Sequence, residues 1–181
     1  RLIKELDEKK EQIRDRRHVK SQAEEGKFLK KSRYLTELVR ADSSMDTVEL
    51  EKDLEEMGIR FTDTYHRVLA VIVQDIRSVP GFEDVSGLAV LQFAVCNIMD
   101  EVFLHCGCTS FVHEKGENQF IIILNTETSL AAHFLREKAH HLLNVLKSIY
   151  GLDAAAGIGK EVQRTEDLCV SYAEALESGL R

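Results

Sequence analysis

Two short runs in this 181-residue chain contain no polar residue at all: residues 68–73 (Val-Leu-Ala-Val-Ile-Val) and residues 120–124 (Phe-Ile-Ile-Ile-Leu). A strand with one face in water alternates apolar and polar residues. An unbroken run of five or six therefore suits a strand covered on both faces. The second run follows a polar turn, His113-Glu114-Lys115-Gly116-Glu117-Asn118-Gln119, and a shorter strand-like stretch from Cys108 leads into that turn. Two strand signals joined by a few residues that include glycine read as a β-hairpin. The hairpin is expected mid-sheet, with its turn at one end of the fold.

Helical periods fill much of the remainder. Leu88, Leu91, Val95, Ile98, Met99 and Val102 share one side of a helix from 85 to about 105. Phe134, Leu135, Leu142, Val145, Leu146 and Ile149 do the same within 128–150, and Leu168, Tyr172, Ala175 and Leu176 within 166–180. Asp46 followed by Glu49 is an N-cap signature for a short helix carrying Val48, Leu50, Leu54 and Met57, which Gly58 is placed to end. Residues 154–159, built of small side chains, read as a strand near an edge. The order is β-α-β-β-α-β, the ferredoxin-like, α+β arrangement: an antiparallel sheet with helices packed on one face. Its first and third strands are central, and here those are the two apolar runs.

Residues 1–40 are a charged arm with one glycine and no proline. Leu2, Ile3, Leu6 and Ile13 open a heptad-like seam, and Phe28, Leu35 and Leu38 resume it. We expect a long coiled-coil-like helix that pairs with a second copy, giving a homodimer. The alternative is that its 28–38 half docks on the body. The expected division is 1–40 arm, 41–65 connecting helix and loop, and 66–181 body.

The arm holds thirteen Lys/Arg against eight Asp/Glu, a net of +5; with 24 and 31 in the whole chain, the rest has a net of −12. An acidic body repels phosphate, so DNA contact by this segment itself is not expected. The longest uncharged stretch, 85–99, is too short and mixed to span a bilayer, and the charged first 40 residues carry no signal peptide pattern. A cytoplasmic location, no membrane partner and reduced cysteines follow as expectations. Arg1 stands where an initiator methionine would, so a piece of a longer protein is expected. Two constellations invite a metal reading. His105, Cys106, Cys108 and His113 lack the paired-knuckle spacing of zinc sites. His133, Glu137 and His140 lie opposite the apolar stripe of their helix, facing solvent. No metal and no cofactor is expected.

The element order, with Gly116-Glu117-Asn118-Gln119-Phe120 at the hairpin, resembles the diguanylate cyclase (GGDEF) domain family, named for Gly-Gly-Asp-Glu-Phe at this turn. Val73-Gln74-Asp75-Ile76, Gly87-Leu88-Ala89-Val90-Leu91, Gly157-Ile158-Gly159 and Tyr172-Ala173-Glu174-Ala175-Leu176 echo four further family motifs over about 66–180. The resemblance implies a cleft where two metal ions, held by carboxylates of the first strand and hairpin, activate a nucleoside triphosphate. In this chain neutral Asn118 and Gln119 replace the hairpin acids, Arg77 replaces the second strand-end acid, Glu117 replaces the second glycine and Leu88 replaces the guanine-reading acid. Metal bound through oxygen needs that negative charge. Gly107-Cys108-Thr109-Ser110 also replaces the family's Arg-x-x-Asp product site.

The expectation is a degenerate, non-enzymatic domain. With its arm it is similar to the middle segment of bacterial two-component response regulators of the YesN/AraC type. That resemblance implies an upstream receiver domain and histidine kinase, and DNA contact only through a domain outside this segment. The expected function is signal relay and dimerisation in a transcription regulator. The alternative is a sensor that binds a nucleotide or metabolite at Asp75, Gly116, Glu117, Asn118 and Gln119.

Overall fold

The computed structural model describes residues 2–40 and 46–179, and of residues 2–7, 9–11 and 13–21 it describes the backbone alone. In chain order the elements are α1 (Leu2–Val39), α2 (Thr47–Glu56), β1 (Tyr65–Val73), α3 (Val85–Val102), β2 (Cys108–Val112), β3 (Gln119–Thr126), α4 (Ala132–Tyr150), β4 (Ala154–Ile158) and α5 (Leu168–Glu177). The four strands form one antiparallel sheet in the order β2-β3-β1-β4. The apolar runs are the two central strands, in register with Val68 opposite Ile123 and Val71 opposite Phe120. The hairpin is not wholly mid-sheet: β3 is central, but β2 pairs only with β3 and forms an edge.

Alternation along the central strands divides the core in two. Leu69, Val71, Phe120, Ile122 and Leu124 face α3 and α4, meeting Leu91, Val95, Met99, Leu135, Leu142 and Leu146. The intervening residues Val68, Ile121 and Ile123, with Phe111 of β2, meet Leu35, Leu38 and Val39 of α1, Leu50 and Leu54 of α2, and Leu168 of α5. The two long helices α3 and α4 share one face, as expected, and α1, α2 and α5 cover the other, which the expectation of helices on one face left bare. This is why the central runs have no polar alternation. Burying each such side chain fully stabilises the fold by about 1.5–3 kcal/mol, so the second face is a core in its own right.

Leu35, expected on a pairing seam, is fully buried inside this second core, and Phe28 is half-buried with its ring edge-on to Phe93 at 5.7 Å. The side chains of Leu2, Leu6 and Ile13 lie outside the described residues. Residues 22–27 of α1 are exposed. The helix thus has a docked C-terminal half, in line with the alternative, and its backbone extends N-terminally to Leu2.

Local signals explain several boundaries. The Asp46 side chain accepts from Val48 N at 3.0 Å as the α2 N-cap, and Gly58 takes φ 77° just beyond the helix end. Gly157 and Gly159 are needed for space: an added Cβ would lie 1.7 Å from the Ala175 carbonyl oxygen and 1.9 Å from that of Ser171. Their absence of side chains lets α5 lie directly on β4. Val48, Ile149 and Leu176, expected inward, are exposed, because the buried stripes are narrower than the apolar sets. Among the described residues α3 is the one helix long and apolar enough to cross a membrane, yet seven of its residues are buried in the fold.

Candidate functional site

The candidate site sits where the end of β1 meets the β2–β3 turn. Backbone and side chain lace the two together: Val73 N donates to Asn118 O at 2.9 Å, and Asn118 Nδ2 donates to Val73 O at 3.1 Å. The turn is closed by Gly116 N donating to His113 O and Gln119 N donating to Gly116 O. Gly116 does not have positive φ; its lack of a side chain serves space, since a Cβ there would lie 3.1 Å from the Gln119 Cβ. Glu117 likewise has ordinary backbone, so a side chain is tolerated where the resemblance has glycine.

Each polar group at the tip is held by a different element. Arg77, just past β1, makes a bidentate pair with Glu117: Nε to Oε1 at 2.7 Å and an Nη to Oε2 at 2.6 Å. The contact draws the Glu117 carboxyl below the usual carboxylate range, the hydrogen bond from Arg77 being the main cause, and pushes the Arg77 guanidinium further up for the same reason. Gln92 of α3, nearly buried, donates to Glu117 O at 2.8 Å. Gln119 Nε2 donates to the Tyr172 hydroxyl of α5 at 2.6 Å, and Tyr172 stacks on His113 at 6.4 Å between centroids. Glu114 N donates to Thr36 Oγ1 of α1 at 3.1 Å. Four elements thus clasp one turn.

Asp75 stands apart from this network. It sits in the left-handed region at φ 46°, which aspartate tolerates better than most residues. Its carbonyl oxygen accepts from Ser78 N and Ser78 Oγ, closing the turn Ile76–Ser78, and buried Ile76 and Val79 pin that turn to the core. Its exposed carboxylate has no hydrogen-bond or ion-pair partner among the described residues. Of the five residues expected at the site, Gly116, Glu117, Asn118 and Gln119 are gathered in one turn against the β1 end, with Asp75 two residues beyond Val73. Sequence reasoning missed Gln92, Tyr172 and Thr36. A glutamine on the apolar side of α3 was the one available signal.

A model of the family described as "GGDEF-like domain" matches residues 41–178. The chain belongs to that family. No curated protein matches it. The match begins ahead of residue 66, so the GGDEF-like domain includes α2, in keeping with the place of Leu50 and Leu54 in the second core.

Among the described residues of this GGDEF-like domain, no group of three or more His, Cys, Asp or Glu side chains is arranged to hold a metal ion. At Glu117, Asn118 and Gln119 a cation would meet one carboxylate already paired with Arg77 and two neutral amides already bonded to protein. The other constellations are dispersed. Cys106 is buried, Cys108 Sγ approaches Asp100 Oδ1 at 3.4 Å, His105 is exposed and His113 lies on Tyr172. Burial pushes the Cys96 thiol up to about 12 and the Cys108 thiol up as well, which favours the unreactive protonated form. His133, Glu137 and His140 are exposed on α4.

Proposed function

We propose that this GGDEF-like domain is a non-catalytic relay and dimerisation module of a cytoplasmic transcription regulator. The observation that carries the reading is the docked half of α1. Leu35, Leu38 and Val39 share one core with the sheet, and Thr36 accepts a hydrogen bond from the hairpin turn. A rotation or shift of the arm is then felt by the same strands and turn on which α5 rests. In this reading the arm's N-terminal half pairs with that of a second copy, through Leu2, Leu6 and Ile13. An upstream receiver domain, answering a histidine kinase, would change that pairing. An AraC-type domain after α5 would carry DNA contact. The lost carboxylates and the protein partners of Glu117, Asn118 and Gln119 support a role without catalysis or cofactor.

Sedimentation velocity on the full chain tests the dimer step. The chain is expected to sediment as a dimer, and the double variant Leu6→Asp/Ile13→Asp as a folded monomer with the same thermal unfolding of its body. A monomeric parent chain refutes the arm as the pairing element. Removing residues 1–40 altogether is the wrong test, because it strips Leu35, Leu38 and Val39 from the second core.

A further inference from the structure

A cleft of about 730 Å³ runs between the docked half of α1 and the start of α3, with the Arg77–Glu117 pair at one end. Its volume falls in the range of small-molecule sites, which are mostly apolar with few polar groups. Phe28, Leu88, Ala89 and Val112 supply apolar wall, and Ser32 and Gln92 supply polar groups. Ser32 is only 4% exposed and its hydroxyl has no hydrogen-bond partner among the described residues. A buried hydroxyl without a partner is disfavoured. As it stands the hydroxyl oxygen is also shut off from the cleft, so a partner there is reached only when the side chain turns toward it. Three cations and three carboxylates line the cleft, a formal charge of zero, so nothing in it concentrates a multiply charged anion.

We propose that this cleft binds a small uncharged aromatic compound bearing a hydrogen-bond acceptor. The ring lies against Phe28, Leu88 and Val112, and the acceptor takes the Ser32 hydroxyl after a rotation about its Cα–Cβ bond. This goes beyond the relay reading: the cleft reaches the hairpin turn at Glu117 but not Asp75, and much of its wall is α1. Because the ligand bridges α1 and α3, binding favours the docked arm and links a chemical signal to the same helix.

The test is backbone amide NMR on the full chain titrated with benzamide and with indole, and separately with GTP. Both aromatics are expected to shift the amides of residues 28–34 and 88–92 saturably, benzamide at the lower concentration because indole carries no acceptor for the Ser32 hydroxyl, with GTP leaving them in place. Ala89→Trp, which fills the cleft from an only partly buried position, is expected to remove the shifts while the protein still unfolds cooperatively. Ser32→Ala is expected to unfold at the same or a higher temperature yet to bind benzamide roughly 3- to 10-fold more weakly, the worth of one hydrogen bond. Absent shifts, shifts that survive Ala89→Trp, unchanged benzamide affinity in Ser32→Ala, or a stronger response to GTP would each overturn the proposal. None of these outcomes bears on sedimentation, so the relay stands or falls separately.

Discussion

Leu35→Ala separates a helix that merely touches the body from one that completes it. Leu35 is fully buried, in a cluster with Leu50, Leu54, Phe111 and Ile123. The substitution removes three carbons, worth about 2.4 kcal/mol at roughly 0.8 kcal/mol each, before the cavity left behind is counted. Measured Leu→Ala losses in packed cores run from about 2.7 to 5 kcal/mol, so a loss of about 3 kcal/mol is expected. For a chain of this size that is a drop of roughly 6–12 °C in Tm. Leu29→Ala is the control: it lies on the same helix but is 56% exposed, and surface changes stay within about 0.5 kcal/mol. Chemical denaturation followed by circular dichroism reads both. A Leu35→Ala loss below about 1 kcal/mol, or one equal to that of Leu29→Ala, would mean that α1 is not part of the core.

Gly157→Ala drives a methyl group into the Ala175 backbone carbonyl, and neither side is a flexible side chain that can give way. A loss of at least about 2 kcal/mol is expected, and wild-type stability in the same denaturation assay would refute direct α5–β4 packing. His66 is held neutral by burial, which outweighs the opposing pull of Asp63 and Glu51 and lowers its pKa below 6.5. The Asn125 amide, assigned as donating to His66 Nδ1 at 2.9 Å, favours the same neutral ring. The unfolded chain therefore binds the proton more readily, and this contribution to stability is present above about pH 6.5 and lost as pH falls below it. Denaturation midpoints from pH 8 to 5 should fall less steeply in His66→Gln than in the parent; an equal or steeper fall contradicts the assignment.

The sheet's centre was readable because residues 68–73 and 120–124 leave no polar face, and helix cap chemistry at Asp46 and Gly58 is local. What escaped was pairing across long separations. The same unbroken runs required cover on both faces, but nothing local in Leu35, Leu38 and Val39 distinguishes a seam for a second copy from a stripe for the chain's own sheet. Heptad and helical spacings coincide over so few residues. At the site, Arg77 and Glu117 each read as a separate departure from the resemblance. Their bond, between residues 40 apart in sequence, joins the two departures in one ion pair. Gln119 and Tyr172, 53 residues apart, were equally invisible as partners.

The claim that this turn transmits rather than catalyses is tested most directly by incubating the full chain with GTP and magnesium or manganese and following phosphodiester product and pyrophosphate by chromatography. The expected result is no product above a protein-free control, in the parent and in Asp75→Ala alike. Product that appears with the parent chain and vanishes in Asp75→Ala would contradict the account.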